Sequence, residues 1–231
     1  MKAVLFDLDD TLYPEREFVT SGFRVVARYL SARHPLNNEE DLVRQMFAIL
    51  QREGRGHVFD RLLDHIGLNG SVSVMTLVYL YRSQQPLLHL YDDVLPTLKQ
   101  LRGFGMRLGL LTDGQACVQR NKIAALDLAD PFDVIICTDE LGRDCWKPAP
   151  VSYQVALQLL DVSPGQAIYV GDDASKDFVA PYALGMMTAQ IIRSDRPQRQ
   201  ESPASADGAH WVITRLEQLT SILGVPANVF G

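Results

Sequence analysis

Val4-Leu5-Phe6-Asp7-Leu8-Asp9-Asp10-Thr11-Leu12-Tyr13 carries an apolar, strand-like run straight into three aspartates within four residues, followed by a threonine. A solvated acidic loop needs no hydrophobic run to drive it into a core, whereas a reactive carboxylate needs a rigid, partly dry platform. Asp7 and Asp9 are separated by one residue, so in an extended chain their side chains face the same way. Two carboxylates that close resist simultaneous ionisation, which favours one kept protonated and the other left as a nucleophile or metal ligand. The same spacing suits the acidic first turn of a helix, and the pair alone leaves both readings open.

Outward from this stretch the pattern turns helical. Phe18, Phe23, Val25, Val26, Tyr29 and Leu30 form a stripe that ends near Pro35, and Asn37-Asn38-Glu39-Glu40 caps a second stripe from Leu42 to Leu50. Gly54 and Gly56 break it, a third helix spans Val58 to Ile66, and a fourth runs from Val72 to Tyr81. From Tyr91 short apolar runs alternate with amphipathic ones. A helix marked by Val94, Leu95, Leu98 and Leu101 leads to a strand over 106–111, a loop Thr112-Asp113-Gly114 and a helix over 115–126. A strand over 132–136, a helix over 151–160, strands over 167–170 and 186–192, and a strand–helix pair within 211–223 follow.

Short, nearly all-apolar strands alternating with helices predict an α/β fold, a doubly wound parallel sheet covered on both faces. The all-helical block is inserted after the first strand, which predicts a core of residues 1–13 and 89–231 with a cap domain of residues 14–88. The polar tract from Ser194 to His210 is expected to be a surface loop. Ligands of such sheets bind outside the carboxyl ends of the strands. Asp7, Thr112 and Asp172 each lie just beyond the end of a predicted strand.

The later strand ends carry complementary chemistry. Thr112 and Asp113 open a small-residue loop before a helix, where a hydroxyl and backbone N–H groups make a phosphate seat. Any strand-to-helix junction has the same outline. In Trp146-Lys147-Pro148-Ala149-Pro150 the two prolines stiffen the entry to a helix, holding Lys147 where an ammonium can neutralise a phosphate and a carboxylate together. Lys147 thus joins Thr112 and Asp113 as a candidate phosphate-binding residue, a solvated lysine being the plain alternative. Gly171-Asp172-Asp173-Ala174-Ser175-Lys176-Asp177 supplies three acids after a strand, which suits a hard cation with oxygen ligands, Mg²⁺ before Ca²⁺. Asp173 and Asp177 also suit a helix cap and a structural hydrogen-bond partner.

Composition removes other classes. The 231 residues are 47% hydrophobic with a formal charge of −6, enough for a sizeable core and without the basic footprint of a nucleic-acid binder. No apolar run approaches the roughly 20 residues needed to span a bilayer, so no membrane partner is expected. Cys117, Cys137 and Cys145 form no CxxC pair, and the five histidines show no i+3 or i+4 pairing that would place two metal ligands on one helix face. A reducing, cytoplasmic setting fits. Monomer and homodimer both remain open.

Asp7-Leu8-Asp9-Asp10-Thr11, Thr112, Lys147 and Gly171-Asp172-Asp173 through Asp177 resemble, in order and spacing, the four motifs of the haloacid dehalogenase superfamily of phosphotransferases. The resemblance extends over the whole chain and implies a Rossmann-like core with a helical cap. It implies that Asp7 attacks phosphorus to form an aspartyl-phosphate while Asp9 protonates the leaving group and later activates water. It also implies that Mg²⁺ is held by Asp7, Asp172 and the backbone carbonyl of Asp9, that Thr112 and Lys147 bind phosphoryl oxygens, and that Asp173 and Asp177 play supporting parts. The expected activity is hydrolysis of a small phosphorylated metabolite, a nucleoside monophosphate or a sugar phosphate. A phosphomutase resembling β-phosphoglucomutase and a non-catalytic binding module on the same scaffold are the alternatives. Asp10 stands where many members have Gly, Asp113 where many have Asn, and Ala180-Pro181 where a Gly-Ala pair is usual. Tyr13, Glu15, Arg16, Phe18 and Phe23 lie near enough to the first motif in sequence to reach a substrate, or else to pack.

Overall fold

The apolar run near the N-terminus is a strand, β1 (Ala3–Phe6), with every residue buried. A strand apolar on both faces belongs in the interior of a covered parallel sheet. In chain order there follow α1 (Glu15–Arg33), α2 (Glu39–Glu53), α3 (Val58–His65) and α4 (Val74–Arg82). The alternating part comprises α5 (Val94–Gly103), β2 (Arg107–Thr112), α6 (Ala116–Ala125), β3 (Val134–Cys137), α7 (Val151–Leu159) and β4 (Ala167–Gly171). It closes with α8 (Val179–Leu184), β5 (Met187–Ile191), β6 (Trp211–Ile213) and α9 (Gln218–Ile222). This is a computed structural model that describes residues 1–34, 38–194 and 208–224. The expected helix end at Pro35, the contribution of Asn37 to a cap, and residues 195–207 of the expected loop lie outside the described residues.

The sheet is parallel throughout, in the order β3-β2-β1-β4-β5-β6. Phe6 pairs with Leu110 of β2 and Val170 of β4, so β1 sits at the point where strand order reverses. In register β4 runs one residue and β2 two residues past the end of β1, and Asp7, Thr112 and Asp172 emerge at one edge. Strand β3 begins at Val134, two residues after the expected Phe132. Asp133 instead ties the approach to β3 onto the start of β2. Its backbone N–H bonds Leu108 O at 2.8 Å, and its carboxylate accepts from Leu108 N at 2.7 Å and from Arg102 at 2.9 Å.

The chain divides into two compact units, residues 1–15 with 88 onward, and residues 16–87. In the first, Leu5, Leu111, Tyr153, Tyr169 and Phe178 share one apolar core, with the rings of Tyr153 and Tyr169 edge to face at 5.0 Å. In the second, Phe23, Leu30, Leu42, Met46, Leu62 and Leu77 converge, and Asn38 caps α2 by accepting from Glu40 N and Asp41 N. No helix among the described residues is long and apolar enough to cross a membrane.

One glycine of the helical unit has no room for a side chain. A Cβ on Gly22 would overlap the Tyr81 ring, standing 2.6 Å from its Cε2, and would lie 2.7 Å from Gln84 Nε2, whose amide bonds Phe18 O at 3.1 Å. Gly22→Ala should therefore destabilise this unit by about 1–3 kcal/mol through overpacking. Thermal unfolding checks this, and an unchanged Tm would contradict it.

Candidate active site

The end of β1 is fixed by its neighbour: Asp7 N donates to Val170 O at 2.8 Å, which places the Asp7 side chain just past the sheet edge. Asp7 is buried, and its Oδ1 lies 2.5 Å from Lys147 Nζ. The same ammonium reaches Asp177 Oδ1 at 2.8 Å and the Tyr169 hydroxyl at 3.1 Å. Lys147 enters from the segment just before α7, with a cis peptide to Pro148. Burial alone would depress the Lys147 pKa, but the Asp177 and Asp7 carboxylates override it and raise it well above the ordinary value.

Asp7, Asp172 and Asp177 each bring a carboxylate oxygen to within 4.8 Å of one another, all three buried. Two of them, Asp7 and Asp177, share the Lys147 ammonium. The cost of gathering acids in a dry site shows at Asp7, whose pKa is pushed up to about 7, chiefly by burial, with Lys147 opposing and Asp177 reinforcing the rise. Hard oxygen donors gathered in a buried cluster fit a divalent cation such as Mg²⁺. Asp177 is the third acid of the cluster, and its two oxygens also accept from Lys147 Nζ and, at 2.9 Å, from Asp173 N.

Gly171 makes room for this arrangement. A Cβ there would overlap the Asp177 carboxylate, with Cγ only 2.7 Å away. Gly171→Ala should push Asp177 off Lys147 and lower turnover by about 10-fold or more while leaving the sheet intact. Steady-state kinetics beside a far-ultraviolet spectrum reads both, and wild-type turnover would refute the expectation.

Asp9 has a different setting from Asp7. Both of its oxygens lie within reach of Lys122 Nζ, at 2.7 and 2.9 Å, with Gln119 Nε2 at 2.9 Å and the Tyr13 hydroxyl at 2.5 Å. Burial pushes its pKa up, yet the Lys122 charge and hydrogen bond and those from Tyr13 and Gln119 outweigh it, leaving the pKa below the usual value. Neighbouring Asp10 takes a left-handed conformation, φ 55°, and its carboxylate accepts from Glu15 N at 2.9 Å. Where a glycine would adopt this turn freely, the aspartate stabilises it through its own side chain.

Thr112 ends β2 with its hydroxyl 2.5 Å from Gln119 Nε2. Asp113 follows Thr112 directly after β2. Its Oδ1 accepts from Thr138 Oγ1 at 2.7 Å and from Lys147 N at 3.1 Å, so it braces the segment that delivers Lys147. Asp173 Oδ1 accepts from Ser175 N and Oγ, shaping the loop after β4. Of the residues near the first motif, Tyr13 reaches Asp9. Phe18 and Phe23 pack on Tyr81 in the helical unit, and Arg16 lies over the Phe47 ring at 5.1 Å. Gln119, Lys122 and Tyr169 were not among the residues expected from sequence. Gln119 and Lys122 share a helix face with buried Val118 and Ile123, and only their polarity on that face marks them.

The chain is similar to known proteins over its length. The profile of haloacid dehalogenase-like hydrolases matches residues 1–180, and a second profile of the same kind matches 144–219. Glyceraldehyde 3-phosphate phosphatase of Methanopyrus kandleri is 32% identical over 96% of this chain and 97% of its own. Ribulose-1,5-bisphosphate 5-phosphatase of Halopiger xanaduensis is 29% identical over 96% and 98%. The crystal structure of a HAD phosphatase from Thermococcus onnurineus superposes with a TM-score of 0.66 at 29% identity, covering 97% of this chain and 99% of that one. With its motif residues gathered at the carboxyl edge of a doubly wound sheet and a family profile spanning most of its length, the chain belongs to the haloacid dehalogenase-like hydrolases.

Proposed function

We propose that this hydrolase is a Mg²⁺-dependent phosphomonoesterase that dephosphorylates a small sugar phosphate through an aspartyl-phosphate at Asp7. The observation that carries the reading is the buried Asp7 carboxylate, bound to Lys147 at 2.5 Å and clustered with Asp172 and Asp177. A carboxylate so placed is the nucleophile, and the Lys147 ammonium and the Thr112 hydroxyl are the groups that receive phosphoryl oxygens. Asp7 and Asp172, with the Asp9 carbonyl and the nearby Asp177, would hold the metal, which when bound offsets the repulsion between an anionic nucleophile and an anionic phosphate. Asp173 and Asp177 support from the loop after β4.

In the first half-reaction an Asp7 oxygen bonds to phosphorus as the bond to the leaving oxygen breaks, and Asp9 gives that oxygen its proton. In the second, water attacks phosphorus, Asp9 takes the proton, and the Asp7–phosphorus bond breaks to release inorganic phosphate. The donors around Asp9 favour its carboxylate, the form required of a base. A phosphate dianion arriving beside it favours the protonated form, as like charges do.

Similarity to phosphatases named for glyceraldehyde 3-phosphate and ribulose-1,5-bisphosphate favours phosphorylated sugars over nucleoside monophosphates. The helical unit, residues 16–87, is inserted between Glu15 and Leu88, where Tyr91 N bonds Leu12 O at 3.0 Å within the core, and to this helical unit we assign substrate selection. Three free cysteines support a reducing, cytoplasmic setting. Phosphate release from p-nitrophenyl phosphate, triose and pentose phosphates and nucleoside monophosphates, with Mg²⁺ or with EDTA, tests the reading. Metal-dependent turnover highest on a sugar phosphate is expected. Metal-independent turnover, or action on nucleoside monophosphates alone, would overturn the cofactor or the substrate assignment respectively.

A further inference from the structure

Gln119 and Lys122 stand nearly one turn apart on α6, and both direct nitrogens at Asp9. Lys122 is only 3% exposed and Gln119 1%. Burying an ammonium is costly unless it is matched by an acceptor, and here the acceptor is the carboxylate two residues beyond the nucleophile. The Gln119 amide nitrogen touches Asp9 Oδ2 and Thr112 Oγ1 together, at 2.9 and 2.5 Å, so one side chain joins the acid to the phosphate seat. With Tyr13 on Oδ1, both carboxylate oxygens are fixed by donors from two separate parts of the chain.

We propose that Lys122 and Gln119 are positioning residues for proton transfer by Asp9, Gln119 setting the carboxylate's orientation relative to the Thr112 hydroxyl. The inference rests on the reading of Asp9 as the acid–base group. A proton donor must stand about 2.6–3.2 Å from the oxygen it serves, and an aspartate with two rotatable bonds loses that placement when its donors are removed. An ion pair serving only the fold would lower every activity alike. A positioning pair instead affects most the esters whose leaving oxygen needs a proton.

The test is kcat/KM for a series of phosphate monoesters from p-nitrophenyl phosphate to alkyl phosphates, measured on wild type, Lys122→Met, Gln119→Met and Asp9→Asn. For Asp9→Asn and Lys122→Met we expect losses of about 100-fold or more on alkyl esters and under about 10-fold on the p-nitrophenyl ester, the range of general acid catalysis. Gln119→Met should show the same slope to a smaller degree, and it carries the comparison should Lys122→Met fail to fold by circular dichroism. Uniform losses in the α6 variants beside a leaving-group-dependent loss in Asp9→Asn would overturn the positioning role and leave the reading of Asp9 standing. A uniform loss in Asp9→Asn would overturn the reading itself, and the inference with it.

Discussion

Asp7→Asn should leave a folded protein whose phosphatase turnover is lower by about 10⁴-fold or more, as for other enzymes stripped of their nucleophile. The substitution keeps the side chain's shape and removes the oxygen anion that bonds to phosphorus. The fold should tolerate it, because Lys147 retains Asp177 at 2.8 Å and the Tyr169 hydroxyl at 3.1 Å. The buried Asp7 carboxyl already resists ionisation, with a pKa pushed up to about 7, so a neutral amide relieves the site of a charge that burial disfavours. Turnover on p-nitrophenyl phosphate together with a melting curve measures both parts. A variant that turns over as wild type does would show that Asp7 is not the nucleophile.

Lys147→Ala should be the most destabilising substitution in the site. Its ammonium is fully buried between Asp7 and Asp177, themselves 3% and 0% exposed. Removing one partner of such a group leaves carboxylates uncompensated in a dry environment, at a cost of about 3–5 kcal/mol. Lys147→Arg should not restore activity. A planar guanidinium is broader than the ammonium and does not fit the point between two carboxylates and a phenol. Denaturant unfolding in metal-free buffer reads the stability, and phosphate release reads the activity. An Ala variant as stable as wild type would contradict the burial argument.

The fold was legible because its strands are short apolar runs and its helices carry stripes. Val4-Leu5-Phe6 is buried on both faces, and Met106 to Leu111 lies within a residue of β2. Boundaries slipped where a polar side chain took up backbone work, as at Asp133. The candidate site was legible where chemistry is local in sequence: parallel register sets the strand ends that carry Asp7, Thr112 and Asp172 side by side, and the proline-stiffened entry brings Lys147 to Asp7. Lys122 and Gln119 were not legible, because a buried lysine and glutamine on an apolar face look like the edge of an amphipathic helix until α6 is placed beside Asp9. Asp113 has a part of the same kind: its carboxylate bonds Thr138 and the Lys147 backbone, partners 25 and 34 residues away that its position after Thr112 does not announce.

The most direct test of the account is to trap the covalent intermediate. Protein mixed with substrate and Mg²⁺, quenched in acid and reduced with borohydride, converts an aspartyl-phosphate into homoserine, which peptide mass spectrometry locates in the chain. Homoserine at position 7, dependent on substrate, is the expected result. Modification at another carboxylate, or steady turnover with none at position 7, would contradict a mechanism centred on Asp7.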